Sequence, residues 1–352
     1  MGLVTFVIVL SVMIFIHEMG HFLAARYFGV TVYTFSIGFG KKIYSKFWKG
    51  TEWKIALIPL GGYVQMKGQD DTKPTLQDNS IDSYNAKKPW QRIIILFAGP
   101  FANFLLAAVL FFSVGLIGST EIAPKIGQVI ENSPAKKYGL KVNDEIISIN
   151  HNPVKSWNEL SSRIKSSNES VIYFEINRNG QILNLAIVSQ ISDSKNIFGE
   201  QIKQRMIGIA PAPQIINVER NFGESLQYSI DKTYEASKMI FLGIQKLLSG
   251  VVPSSEVGGV ISIGKVISDA SEVGIVALFM ISALISVNLG VLNLLPIPAL
   301  DGGHIMFNLY EIIAKRKPNE KILLNLTIGG WVILIGLMTL GFYNDINRLI
   351  AG

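Results

Sequence analysis

Residues 15–21 read FIHEMGH, and they follow directly on the fourteen-residue run Leu3 to Ile16, in which nothing is charged. On a helix, positions i and i+4 share one face roughly 6 Å apart, so His17 and His21 can both aim a ring nitrogen at one ion. Glu18 lies one residue round from His17, close enough to reach a water on that ion without being a ligand. This is the H-E-x-x-H arrangement, in which zinc takes the two histidines and the glutamate is the general base. Two histidines packed at a helix end would share the spacing. However, the motif follows its apolar run without a break, and two of the chain's four histidines sit in it. A charged side chain at the centre of a membrane-spanning helix costs about 2.5–3.5 kcal/mol on insertion scales, so these groups need a partner from elsewhere in the chain.

A catalytic zinc takes three protein ligands and keeps a further position open. The chain has no cysteine, which excludes thiolate ligands, a thiol nucleophile and disulfides. His151 lies in a segment of soluble composition and reads as a turn or surface histidine. Asp301 and His304 remain, both within NLLPIPALDGGH. Pro296 and Pro298 break the helix there, while Gly302 and Gly303 permit close approach of backbone. A broken helix carrying an acid is a common way to build a polar site at membrane depth.

The elements that must position these residues are read from hydropathy and charge. Hydrophobic residues make up 49% of the 352 and charged residues 16%, and mean hydropathy is +0.36. Four apolar segments approach the length needed to cross about 30 Å of hydrocarbon: Leu3 to Ala25, Ile93 to Ile117, Val273 to about Leu295, and Ile322 to Phe342. The net charge of +6 is no nucleic-acid signature, because the basic residues do not cluster in a binding fold. Between Arg26 and Gln91 there are ten Lys/Arg against five Asp/Glu, and the loop of Lys315, Arg316, Lys317 and Lys321 is also basic. Both fall on one side of four spans, which the positive-inside rule makes the cytoplasm. The termini and the segment from about Gly118 to Ala270 then lie outside. The first run lacks a basic leader and a small-residue cleavage site, so it reads as a retained span rather than a signal peptide.

The outer segment alternates short β-branched runs with turn chemistry at Ser133-Pro134, Asn143-Asp144, Asn152-Pro153 and Asn179-Gly180, plus one helix near Trp157 to Ile164. It resembles a single PDZ domain, notably in NSPAKKYGLKVNDEIISINHNPV. That resemblance implies either capture of a peptide C-terminus by strand addition, with a carboxylate loop near Ala123 to Gly127, or a plain spacer. After it, Leu226, Ile230, Tyr234, Ile240, Ile244 and Leu247 describe an amphipathic helix lying on the membrane surface or against the PDZ-like unit. In the cytoplasmic loop, TVYTFSIGFGKKIYSKFWKGTEWKIALIPLGGYVQMKG alternates without helical period and predicts two hairpins. At membrane depth such backbone must line protein or a cavity.

Taken in order, FIHEMGHFLAARYFGV, FSIGFGKKIY, IPLGGYVQMKG, FAGPFANFLLA, GGVISIGK and SVNLGVLNLLPIPALDGGH resemble the site-2 protease family of zinc intramembrane proteases, specifically the bacterial RseP-like regulators of σ-factor release. The likeness runs from about residue 3 to residue 346. It implies a polytopic α-helical membrane protein with four transmembrane helices, a cytoplasmic-side membrane-reentrant β-hairpin region and one extracytoplasmic PDZ-like α+β domain. The implied boundaries are 1–118 for the first half of the catalytic core, 119–213 for the PDZ-like domain, 214–270 for the amphipathic helix and linker, and 271–352 for the second half of the core. His17, His21 and Asp301 would be the ligands of one zinc ion and Glu18 the catalytic acid/base. Asn293 and Asn103 would lie beside the substrate or oxyanion. Gly38, Phe39, Gly40, Gly61 and Gly62 would present an unwound substrate, with Pro296, Pro298 and Gly302 shaping the site. The implied substrates are single-span membrane proteins, trimmed anti-σ factors or remnant signal peptides, in the bacterial cytoplasmic membrane. The chain has room for one PDZ domain where better-known Gram-negative members carry two. A silent membrane adaptor with a peptide-binding PDZ unit is the alternative, although an intact Glu18 has no role in a structural metal site. A metal transporter using the same ligands is a further one, and it leaves the PDZ-like unit without a role.

Overall fold

The computed structural model describes residues 2–69, 78 and 80–351. The chain forms two compact units, one of residues 1–114 and 225–352 and the other of residues 115–224.

The first unit begins with helix α1 (Gly2–Tyr27), which carries the H-E-x-x-H residues in its second half. Strands β1 (Val32–Trp48) and β2 (Thr51–Met66) follow, then helix α2 (Pro89–Ile117). The expected two hairpins are one hairpin folded on itself. Its turn, Lys49–Gly50, has both residues at positive φ, the type I′ geometry that suits a two-residue connection. Gly38 (φ 89°) and Gly40 (φ 83°) bend β1, so that Phe35 lies beside both Val64 and Trp53, and Ser36 beside both Tyr63 and Lys54. The four segments run side by side in the order 62–66, 32–37, 52–55, 42–48. Phe35 stacks on Trp53 at 4.7 Å and meets Phe15 and Phe22 of α1 edge-on, which fastens the sheet to the helix that carries the histidines. Ala25, Val30, Val32, Met66, Tyr84 and Ile95 close a second cluster between α1, the hairpin base and α2.

The second unit contains β3 (Ser119–Ile122), β4 (Ile126–Val129), the short α3 (Pro134–Lys137), β5 (Glu145–Ile149), β6 (Asn152–Pro153), α4 (Trp157–Ser166), β7 (Val171–Arg178), β8 (Gln181–Val188), β9 (Gln190–Lys195), β10 (Gln201–Met206), β11 (Ile209–Pro211) and β12 (Ile215–Val218). Its main sheet has the order β6-β5-β7-β8, and β11 and β12 pair with β4 and β3. Three of the four expected turns fall where the residue types put them, whereas Asn152-Pro153 forms β6 and the turn lies just before it, at Asn150 and His151, both at positive φ. Ser133 caps α3 with Pro134 at its start, and Asn179–Gly180, both at positive φ, join β7 to β8. Ser156 caps α4. In the segment Ala123 to Gly127, Ala123 N–H donates to Gln214 O and Ile126 N–H to Asp144 O, so these two donors are used within the unit. Buried Ile126, Leu160, Phe174 and Ile207 belong to the core of this unit.

Helix α5 (Phe222–Leu248) carries the predicted apolar stripe, of which Leu226, Ile230 and Tyr234 are exposed. Tyr228, Ala236 and Ile240 pack with Phe104, Ala107 and Phe111 of α2 and with Ala283 and Val287 of α7 (Ile275–Asn293). The expected linker before α7 holds another helix, α6 (Val260–Val273), separated from α7 by Gly274 at φ 137°. Its N-terminus is capped from a distance by the carboxylate of Asp345, which accepts from the backbone N–H of Gly259, Ile261 and Ser262 and from the Ser262 hydroxyl. Helix α8 (Asp301–Ala314) and helix α9 (Glu320–Ala351) complete the unit. Among the described residues, four helices, α1, α2, α7 and α9, are long and apolar enough to cross a membrane. The 19 residues of α7 span about 28 Å, just the thickness required.

Candidate metal centre

Residues 280 positions apart meet at one point. His17 Nε2 lies 3.2 Å from His21 Nε2, and each lies 3.4 Å from Asp301 Oδ2. Helix α1 supplies the histidines at one-turn spacing. Asp301 is delivered differently, as the first residue of α8, where the exposed N–H groups of a helix start favour a carboxylate. The turn through Pro296 and Pro298 puts it there. A Cβ on Gly302 would lie 2.3 Å from Leu294 O, and one on Gly303 2.3 Å from Ile297 O, so both glycines are needed for α8 to pack on the end of α7. His304, the other candidate third ligand, stands outside the group; its ring lies edge-on to Phe307.

The other side of the histidine pair is set by α2, through three residues four apart. Ile95 O accepts from His21 Nδ1–H at 2.8 Å, which fixes the tautomer and leaves Nε2 with its lone pair. Gly99 provides the slot for the same ring, since a Cβ there would lie 2.2 Å from His21 Nε2. Asn103, fully buried, sits with its amide nitrogen 3.2 Å from His17 Nδ1. Gly99 and the Ile95 carbonyl were not singled out from sequence. The signal available was the four-residue spacing of 95, 99 and 103 in a helix beginning near Pro89, with Gly99 inside FAGPFAN.

The fit to zinc is testable on these distances. Ligand atoms about 2.0–2.1 Å from a tetrahedral ion stand roughly 3.3 Å from one another. The three measured edges are 3.2, 3.4 and 3.4 Å. Asp301 Oδ2 is buried and, among the described residues, has no hydrogen-bond donor, as expected of an oxygen meant for a cation. Two neutral imidazoles and one carboxylate form a donor set that zinc accepts, and three of four tetrahedral corners leave one for water.

Two pieces of backbone flank this group. The segment 62–66 of β2 runs past α1 so closely that a Cβ on Gly62 would lie 2.7 Å from Ile14 and 3.1 Å from the side chain of Glu18. Gly61 lies over the ring of Phe39, which stacks with Tyr63. Gly38 and Gly40 are at the bend of β1 and shape the sheet. Asn293 closes α7, half-buried, and among the described residues its amide makes no hydrogen bond.

The comparison with known proteins decides the family. The model of peptidase family M50 matches residues 5–337. The chain belongs to family M50, the site-2 proteases. A Campylobacter jejuni relative, named provisionally as a zinc metalloprotease, is 42% identical, with 98% of this chain and 93% of the relative covered. A Rickettsia conorii protein named in the same way is 36% identical over the full length of both chains. Metalloprotease MmpA of Caulobacter vibrioides is 30% identical, with 98% and 95% covered. This M50 protein is thus a membrane zinc metalloprotease.

Proposed function

We propose that this M50 protease hydrolyses single-span membrane proteins within or near the bilayer, with His17, His21 and Asp301 holding the zinc and Glu18 acting as acid and base. The observation that carries the assignment is the largely buried triangle of ligand residues with tetrahedral edge lengths, closed by residues from α1 and α8. Zinc bound there supplies a Lewis acid that polarises a peptide carbonyl and makes water a stronger acid. Glu18, next to the ligand His17, takes a proton from the attacking water and hands it to the leaving amine. Asn293, whose amide makes no hydrogen bond among the described residues, suits a hydrogen bond to the substrate backbone or to the oxygen that gains charge.

A helical substrate span keeps its amides satisfied internally, so it must unwind before a carbonyl can be attacked. The 62–66 segment beside Glu18 suits pairing with an extended substrate, with Gly61 and Gly62 allowing the close approach. The basic loops support an orientation with the hairpin and the metal centre toward the cytoplasm and with the termini and residues 115–224 extracytoplasmic. That outer unit, read as a PDZ-like domain, screens substrates by size or by a free C-terminus. Anti-σ factors already trimmed outside, and remnant signal peptides, are the substrate class this arrangement suits, in a bacterial cytoplasmic membrane. The test is Glu18→Gln in purified protein reconstituted with a single-span model substrate. The variant should bind zinc as the wild type does and cut nothing; cleavage at the normal rate would overturn the role given to Glu18.

A further inference from the structure

His21 has its tautomer fixed by a backbone carbonyl, and His17 needs the same service. To offer Nε2 to a cation, its ring must carry the proton on Nδ1, and that proton needs an acceptor. The polar group at His17 Nδ1 is the Asn103 amide, at 3.2 Å. Asn103 is 0% exposed, and its Oδ1 is buried without a hydrogen-bond donor. Its backbone is pinned, since Ser286 Oγ of α7 donates to Asn103 O at 2.8 Å. The two ends of an amide exchange places by a half-turn without change of shape. With nitrogen toward the ring, Nδ1 is the acceptor and the proton sits on Nε2, where it blocks ligation. With oxygen toward the ring, Nδ1–H donates to Oδ1, the orphaned acceptor is satisfied, and the Nε2 lone pair faces His21 and Asp301.

We propose that Asn103 is a positioning residue of the metal centre, accepting the His17 Nδ1 proton through its amide oxygen, and is not a substrate or oxyanion donor. One face of α2 then orients both histidines, by a carbonyl at 95 and an amide at 103, two turns apart. The inference rests on reading His17 as a ligand.

The two candidate roles differ in what they ask of the amide: positioning uses its oxygen, whereas substrate or oxyanion binding uses its N–H. Asn103→Asp keeps an acceptor and removes the donor; Asn103→Ala removes both. Zinc affinity of the purified full chain, stripped of metal and titrated against a competing chelator, reads the first role without any need for turnover. Loss of an outer-shell partner to a metal ligand costs roughly 10–100-fold in affinity. Asn103→Ala should weaken zinc binding by that factor, Asn103→Asp should stay within about threefold of wild type, and His17→Ala should lose the site. Wild-type affinity in Asn103→Ala, or a tenfold loss in a folded Asn103→Asp, overturns the inference while leaving the metal centre in place. Wild-type zinc binding by His17→Ala overturns the metal centre itself. Should Asn103→Ala not fold, Asn103→Leu, close to Asn in size and without an acceptor, takes its place: the same loss of zinc affinity is expected, and wild-type affinity overturns the inference.

Discussion

Replacing Gly99 by alanine should cost the protein most of its zinc affinity although residue 99 is no ligand. The added Cβ would stand 2.2 Å from His21 Nε2 and 2.4 Å from its Cε1, where real carbon contacts do not fall below 3.0 Å. Either the ring or α2 must therefore retreat by about 0.8 Å, which is four times the ±0.2 Å within which metal–ligand distances are held. Moving α2 also draws away Ile95 O, the acceptor that orients the same ring. Displacing a ligand and its orienting partner together should lower zinc affinity at least about 100-fold, or roughly 2.7 kcal/mol. Chelator competition on the metal-stripped protein measures this, with thermal unfolding of the metal-free form as a check on folding. Gly329 and Gly336 of α9 supply the control, since a Cβ at either meets nothing within 4 Å. Alanine there should leave zinc binding unchanged and stabilise the helix by up to about 1 kcal/mol. Zinc affinity in Gly99→Ala within threefold of wild type would refute the slot argument.

Three other outcomes follow from particular contacts. Asp301→Ala should abolish zinc binding and His304→Ala should not, as metal analysis of the purified variants will report; the reverse order would reassign the third ligand. Asp345→Ala strips the start of α6 of its acceptor and should cost about 1–3 kcal/mol in thermal unfolding, with Asp345→Asn recovering part of it. An unchanged unfolding temperature would show that the cap contributes nothing. In the second unit, burial pushes the Glu121 carboxyl up, but hydrogen bonds from Ser156, Arg220 and Ser119 outweigh it and hold the group below its usual range. Its contribution is present above the unfolded value of about 4.3 and is lost as pH falls through the lower folded value. Amide protection of residues 115–224 should thus weaken in that acid range, and less steeply in Glu121→Gln; identical pH profiles for the two would count against the reading.

The features legible in the sequence are those written in local spacing. The four spans, the histidine pair, the helix break at Pro296 and Pro298, and the turns at Ser133-Pro134 and Asn179-Gly180 all depend on neighbours within a few residues. The sequence also narrowed the third ligand to Asp301 and His304, because so few ligating groups lie near the apolar segments. What stayed hidden depends on contacts between distant positions. Glycines in FAGPFAN and LDGGH are visible, but only packing shows that Gly99 faces an imidazole and Gly302 a carbonyl. Helix α6 hid in an assumed linker because its cap, Asp345, lies more than eighty residues away. The periodic stripe of α5 is plain in the sequence, yet it does not name the packed residues: Tyr228, Ala236 and Ile240 meet α2 and α7, while Leu226, Ile230 and Tyr234 stay exposed. The bend at Gly38 and Gly40 turned an expected pair of hairpins into one hairpin whose first strand is flanked on both sides by the second.

The placement of Asp301 also bears on how the protein comes into being. A ribosome that has delivered α1 and α2 has delivered two imidazoles, their orienting carbonyl and their slot, together with Glu18, but not the carboxylate that closes the triangle. That group emerges only after a further 184 residues beyond Ile117. On this reading a nascent or prematurely terminated chain holds the general base beside an incomplete metal site, and hydrolytic competence arrives only once 301 of the 352 residues are made. On the same reading, a membrane protease built in this order stays inactive while it is still being threaded into the bilayer.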